Sequence, residues 1–307
     1  MTNVALIFPG QGAQYVGMGK EFYEYSKEAK EIFDQADQIF KNNFKEIIFE
    51  GPSEKLTATA YCQPAILTFS IASLKAFQSH PISKQVQVQY TAGLSLGEYS
   101  ALVASGALSF QDTIKLVERR SFFMEEAIKE KYGKMAAIIG LEQQKIMEVC
   151  EKTGAEIANF NSLQQIVITG EAAKVERACQ LLKENGAKSV IPLEVSGAFH
   201  SSLMRSAAER FSNVLAKVKI SPAKIPVVSN VDGQPTSDSE KIRQNLSKQI
   251  ISSVQWVKSI QFMKEKGIQC FIEIGPGKVL SGLIRRIDPA LKTFNIEKPA
   301  DIEKVVI

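Results

Sequence analysis

The sequence predicts an α/β fold in which a parallel sheet is wound with helices and a smaller ferredoxin-like unit is inserted into it. Three observations carry this. Four short segments that read as buried parallel strands each run into a glycine-bearing loop, stretches of helical periodicity lie between them, and residues 134–194 follow a strand and helix order of their own. This is the pattern of a parallel sheet wound with helices.

The four segments are Val4 to Phe8, Val86 to Ala92, Ile225 to Ser229 and Cys270 to Ile274, and their loops read PGQG, GLSLG, NVDGQ and GPG. Ligands of such sheets bind beyond the carboxyl ends of the strands, so these loops are expected to meet at one place. Between Lys134 and Val195 the order is strand, helix, strand, strand, helix, strand, which is the βαββαβ order of a ferredoxin-like unit. The sheet pattern resumes at Ile225. The expected organisation is therefore a large unit over residues 1–132 and 196–307 and a small one over 133–195, with a site in the cleft between them.

Composition narrows the classes. A chain of 307 residues with 45% hydrophobic content can bury a large core, and no apolar run reaches the length of a membrane span. We read no signal peptide. Cys62, Cys150, Cys179 and Cys270 lack metal-ligand or disulfide-framework spacing, so reduced, packed thiols and a cytoplasmic location are expected. The balance of 37 basic and 33 acidic residues gives +4 without a basic block, which argues against a nucleic-acid binder and fits an acidic protein partner.

The chemistry centres on TAGLSLGEYSALVASG, residues 91–106. Gly-x-Ser-x-Gly alone is weak, since about one chain in ten of this length would contain it by chance. Here a strand precedes Ser95 and a helical stretch follows, the arrangement of a nucleophile elbow. That context favours a nucleophilic Ser95 over a structural turn serine. A serine needs a base. Of the two histidines, His80 precedes Pro81 at the end of a helical segment and reads as a helix-end residue, whereas His200 lies in VSGAFHSSLM, where the chain returns from the inserted unit. His200 is the candidate base. No carboxylate between Ser95 and His200 stands out in a strand-end loop, which hints that the histidine is oriented by another group such as a backbone carbonyl.

The loop FPGQGAQ is not a dinucleotide fingerprint, because the third glycine would fall at Tyr15. It is either a plain tight turn or the source of a Gln11 backbone N–H that pairs with that of Leu96 as an oxyanion hole. In TIKLVERRSFFMEEA, Arg120 has Leu116, Val117, Phe123 and Met124 at helical spacing. A guanidinium on such a face either snorkels outward or is held inward for an anion. Periodicity does not separate Arg120 from Arg119.

Nine ordered segments together, IFPGQGAQYVGMG, LTATAYCQPAI, GLSLGEYSALVASGALSF, LVERRSFFMEEA, ANFNSLQQIVITG, VSGAFHSSLM, SNVDGQPT, QIISSVQW and IEIGPGKVLSGLIRRI, resemble the malonyl-CoA:acyl carrier protein transacylase family over nearly the whole chain. The resemblance implies a hydrolase-like α/β domain with an inserted ferredoxin-like subdomain. It implies that Ser95 is the acylated serine, His200 its base, Arg120 rather than Arg119 the binder of the malonyl carboxylate, and Gln11 and Leu96 the oxyanion-hole amides. It assigns to Gln249 the backbone carbonyl that holds the histidine. Malonyl-CoA and acyl carrier protein are the implied partners, with no cofactor, and a monomer is the default.

Two departures bear on the substrate pocket. Many members read Gly-His-Ser-Leu-Gly, whereas this chain has Leu94. Ala198, Phe199 and His200 match a triplet that in related modular acyltransferases accompanies malonyl use, and Phe199 would crowd a 2-methyl branch, but Gly197 stands where such enzymes often carry histidine. Lys278, Arg285 and Arg286 are candidates for carrier docking, with plain solvated charge as the alternative. The rival functions are an acyl-thioester hydrolase of the same superfamily and a non-catalytic docking module.

Overall fold

β1 (Thr2–Phe8) shows how the core is divided. Val4, Leu6 and Phe8 point into one apolar cluster, while Ala5 and Ile7 point into another on the opposite face. This is the two-residue alternation of a strand covered on both sides. The computed structural model describes residues 1–40, 43–195 and 197–305; the expected junction at residue 196 and the chain end at 307 lie outside them.

The other strands are β2 (Val86–Gly93), β3 (Gly133–Ile139), β4 (Glu156–Ser162), β5 (Gln165–Glu171), β6 (Ser189–Pro192), β7 (Val227–Val228), β8 (Pro235–Thr236), β9 (Cys270–Ile274) and β10 (Lys292–Ile296). Six form one sheet in the order β10-β9-β1-β2-β7-β8, parallel except for the β7–β8 pair. Phe8 pairs with Gly93 and Ile7 with Glu273, which sets the loops after β1, β2 and β9 side by side. The buried helix Thr59–Ser79 and the helix Phe110–Glu130 pack on one face of this sheet. Ser109 caps the second of these by accepting from Asp112 N–H at 3.0 Å.

Three features of this sheet depart from the sequence reading. The short β8, antiparallel to β7, was not foreseen. The segment expected over Ile225 to Ser229 contributes only Val227–Val228 to the ladder: Pro226 has no N–H to give, and its carbonyl takes the Thr91 N–H. β10 was not foreseen. It is an edge strand, half exposed over most of its length, so it lacks the apolar run that marks a buried one.

β3 to β6 form a separate antiparallel sheet in the order β4-β5-β3-β6, the ferredoxin-like order. Ala136, Ile138, Ile166 and Ile168 pack under the helices Gln143–Thr153 and Ala172–Glu184. Met135, Ala137 and Val167, on the other face, join the main core. The fold is thus a hydrolase-like α/β sheet with an inserted ferredoxin-like sheet. The two are stitched together at β4, where Phe160 N–H donates to Val254 O at 2.9 Å and Val254 N–H to Ala158 O at 2.8 Å.

The helix Gly97–Ala104 follows β2 and crosses β1 so closely that a Cβ on Gly97 would collide with the Phe8 carbonyl oxygen. Both partners there are backbone, so neither can yield. Gly97→Ala is expected to cost about 3 kcal/mol, read as a fall in the urea midpoint; an unchanged midpoint would show that the crossing is looser than described.

Candidate active site

Ser95 occupies the turn between β2 and the helix Gly97–Ala104 with φ 51°, and His200 has φ 58°. Among the described residues these are the two non-glycine positions in the left-handed region. Such a conformation costs about 1–3 kcal/mol and persists only when its surroundings impose it. Asn230 imposes it at Ser95: its Oδ1 accepts the Ser95 N–H at 2.6 Å while its Nδ2 donates to Gly93 O at 2.7 Å. Gln249 Nε2 donates to Ser95 O at 3.0 Å.

His200 Nε2 lies 2.8 Å from Ser95 Oγ. Its Nδ1 faces two carbonyl oxygens, of Gln249 at 2.9 Å and Ser252 at 3.1 Å. Carbonyls only accept, so Nδ1 carries the hydrogen and Nε2 presents its lone pair to the serine. Burial first, and the nearby Arg120 charge second, push the imidazole down to about 4 against the opposing pull of the two carbonyls. It is therefore an unprotonated acceptor near neutrality. The segment carrying it is anchored from the small sheet, where Glu156 accepts from Ser202 N–H and Oγ–H. His80 is elsewhere, at the end of the helix Thr59–Ser79, where its Nδ1 accepts the Ile82 N–H.

Arg120 is 1% exposed, whereas Arg119 faces solvent. Nη1 donates to Gln63 Oε1 at 2.7 Å, and Nη2 to Ser95 Oγ and to Gln249 Oε1, both at 3.1 Å. The Tyr99 ring lies 5.4 Å from the guanidinium carbon. Among the described residues no carboxylate comes within ion-pair distance of it, and its Nε has no acceptor. A buried guanidinium held only by neutral groups is an uncompensated positive charge beside the serine.

These groups open onto a cavity of about 490 Å³ between the two sheets, which Gln11, Leu94, Leu96 and Phe199 also line. The Gln11 and Leu96 N–H groups have no acceptor among the described residues, and Leu96 sits at the start of a helix, where orphan donors and the helix dipole suit an anion. Leu94 lines the cavity and also packs on the second apolar cluster. A Cβ on Gly197 would collide with the Ile128 side chain, so a larger residue before Ala198 requires Ile128 to shift.

Sequence reasoning missed Gln63, Glu98 and Asn230, and it assigned Gln249 only a backbone role. Glu98 left a trace, as the one charged residue of the short stretch GEYSALVA, whose first six residues are buried. The others are ordinary amides until the fold brings them under the elbow.

A family model described as "Acyl transferase domain" matches residues 5–293. The malonyl CoA-acyl carrier protein transacylase of Bacillus subtilis (strain 168) is 46% identical over 311 residues, covering 100% of this chain and 97% of that one. The chain belongs to the malonyl-CoA:acyl carrier protein transacylase family. Among solved structures of this family, the acyl-carrier-protein-S-malonyltransferase of Bartonella henselae is 39% identical with a TM-score of 0.94, covering 99% of this chain and 98% of that one. A malonyl-transacylase in complex with its type II PKS acyl-carrier protein is 36% identical, also at TM-score 0.94, with 99% and 98% covered.

The lowered histidine gives a pH expectation. A base must be unprotonated, so Ser95 acylation is expected to hold steady from pH 6.5 down to about 5 and to be lost as the pH falls through about 4. An inflection near 6.5 in a single-turnover pH profile would contradict this.

Proposed function

We propose that this chain transfers a malonyl group from malonyl-CoA to the phosphopantetheine thiol of acyl carrier protein through a malonyl-Ser95 intermediate. The observation that carries the reading is the buried Arg120, which has no internal carboxylate and lies 3.1 Å from Ser95 Oγ. An acyl group bearing its own carboxylate would supply the missing charge. The malonyl-transferring relatives support the same substrate.

The reaction runs in two exchanges. His200 Nε2 takes the Ser95 proton as Oγ attacks the thioester carbonyl, and the oxyanion forms against the Gln11 and Leu96 N–H groups. The tetrahedral intermediate collapses, the C–S bond breaks and the CoA sulfur leaves with the proton from His200. The carrier thiol then gives its proton to His200 and attacks the malonyl ester, and Ser95 Oγ recovers that proton as it leaves. The Gln249 and Ser252 carbonyls serve throughout as the fixed partners of Nδ1–H, in the place of a third acidic residue. Phe199 and Leu94 wall the acyl end of the cavity.

This chemistry calls for no cofactor, and one copy of the chain supplies every group named. The large unit over residues 1–132 and 196–307 carries the nucleophile and the small one over 133–195 closes the cleft. No helix among the described residues is long and apolar enough to cross a membrane, and a cytoplasmic monomer is the reading we adopt. The rival thioester-hydrolase reading gains nothing from the relatives, which are named as transacylases.

A bidentate guanidinium to carboxylate contact in a buried site is worth about 2–3 kcal/mol. Arg120→Ala is therefore expected to lose malonyl transfer by about 30- to 150-fold in kcat/KM while retaining acetyl transfer; undiminished malonyl transfer would remove Arg120 from the site. In Ser95→Ala, mass spectrometry should find no covalent malonyl adduct.

Carrier docking is proposed at the cavity rim. Val279 and Leu283 line the mouth from the helix Val279–Ile287, and beside them Lys278, Arg285 and Arg286 are exposed without an ion pair among the described residues. Reversing these three charges should raise the KM for the carrier and leave acylation from malonyl-CoA unchanged; an unaltered carrier KM would dismiss this surface.

A further inference from the structure

Beneath the elbow lies a buried carboxyl that the proposed reaction does not use. Glu98 is 3% exposed on the first turn of the helix Gly97–Ala104. Its Oε2 accepts from Gln249 Nε2 at 2.6 Å and from Asn230 N–H at 3.3 Å. Both donors belong to residues that also hold Ser95, one through its carbonyl and the other through its N–H. No lysine or arginine lies within ion-pair distance of Glu98 among the described residues.

The orientation of the Gln249 carboxamide follows from this. Its NH₂ has two acceptors on one side, Glu98 Oε2 and Ser95 O, so its oxygen must turn to the other side, where it receives Arg120 Nη2 at 3.1 Å. Reversed, the carboxamide would set NH₂ against guanidinium, donor against donor, inside a dry site. Glu98 thus contacts Arg120 only through a neutral amide, and its through-space pull on the guanidinium is the smallest of the influences acting there.

We propose that Glu98 is a positioning residue for malonyl capture: it locks the Gln249 carboxamide, and through it the Arg120 guanidinium, without neutralising the charge that the substrate carboxylate must meet. This rests on the malonyl reading above. The arrangement separates two tasks that a direct Glu–Arg pair would set in conflict. A carboxylate touching Arg120 would hold it rigid but would compete with the substrate for the same donors. An intervening amide transmits position and leaves the charge free. Burial pushes the Glu98 carboxyl up to about 7, which further weakens it as a counter-charge near neutrality.

The test compares kcat and KM for Ser95 acylation by malonyl-CoA and by acetyl-CoA in Glu98→Met, Glu98→Gln and Gln249→Met, each variant verified as folded by its thermal transition. Glu98→Met fills the space and removes the acceptor. It is expected to lower the malonyl-to-acetyl ratio of kcat/KM tenfold or more, through KM for malonyl-CoA. Glu98→Gln keeps an acceptor oxygen at the same place and is expected to restore the ratio to within threefold of the unmodified protein. Gln249→Met keeps the main-chain carbonyl that holds His200 but lacks the carboxamide, and is expected to lower the ratio as Glu98→Met does; it serves if Glu98→Met does not fold. The proposal is overturned if the ratio is unchanged in either methionine variant, if both acyl donors lose rate equally, or if Glu98→Gln is as impaired as Glu98→Met. Failure of the underlying malonyl reading would look different, since the unmodified protein would then show no preference for malonyl-CoA.

Discussion

Gln249 is the residue on which the geometry of the site turns. Its carbonyl oxygen holds His200 Nδ1–H, its Nε2 caps the Ser95 carbonyl and bonds Glu98, and its Oε1 receives Arg120. One buried side chain and its own backbone thus fix the histidine tautomer, support the strained elbow and aim the guanidinium. It is 1% exposed, so water cannot substitute for any partner it loses. The helix Ser239–Gln249 delivers it, and the next few residues are pinned to β4 by the Val254 backbone bonds.

That constraint explains why two sheets are needed for one site. The six-stranded sheet supplies the elbow after β2 and the loop after β1, both at carboxyl ends of parallel strands. The four-stranded sheet supplies one wall, through Met135 and Val167, and anchors the segment of His200 through Glu156 and Ser202. Ser95 and His200 stand 105 residues apart in sequence, and the small sheet occupies most of that interval. Its insertion therefore brings the histidine back to the serine from the far side of the cleft.

The electrostatics of the site follow from burial more than from ion pairing. Arg120 lies among neutral amides, His200 is held unprotonated by burial and by that same arginine, and Glu98 is raised by desolvation. Each shift is costly for an isolated protein. Together they leave a positive charge, a free imidazole lone pair and orphan N–H groups around one serine hydroxyl, which is the distribution that an anionic acyl thioester would complete.

The elbow, the parallel strands and the ferredoxin-like order were legible in the sequence because each is written locally: glycines at a tight turn, strand-like segments ending in glycine-bearing loops, and a βαββαβ alternation within residues 134–194. Ser95 was found from the strand, turn and helix around it, and His200 by elimination between two histidines. Arg120 could not be told from Arg119 by spacing, since both have apolar neighbours; only packing of the helix Phe110–Glu130 on the sheet turns one inward and the other to solvent. Gln63 and Asn230 carry no local signature, and Glu98 only the oddity of an acid among buried neighbours, because each gains its role from partners that are 57, 135 and 151 residues away, respectively. The sequence by itself determined the elbow, the buried strands β1, β2 and β9 and the order of the inserted unit, since those depend on neighbours along the chain, but not the shortness of β7 or the strands β8 and β10. Which polar groups share one dry volume was decided by the tertiary structure alone, because desolvation and hydrogen-bond partnership are properties of space and not of sequence order.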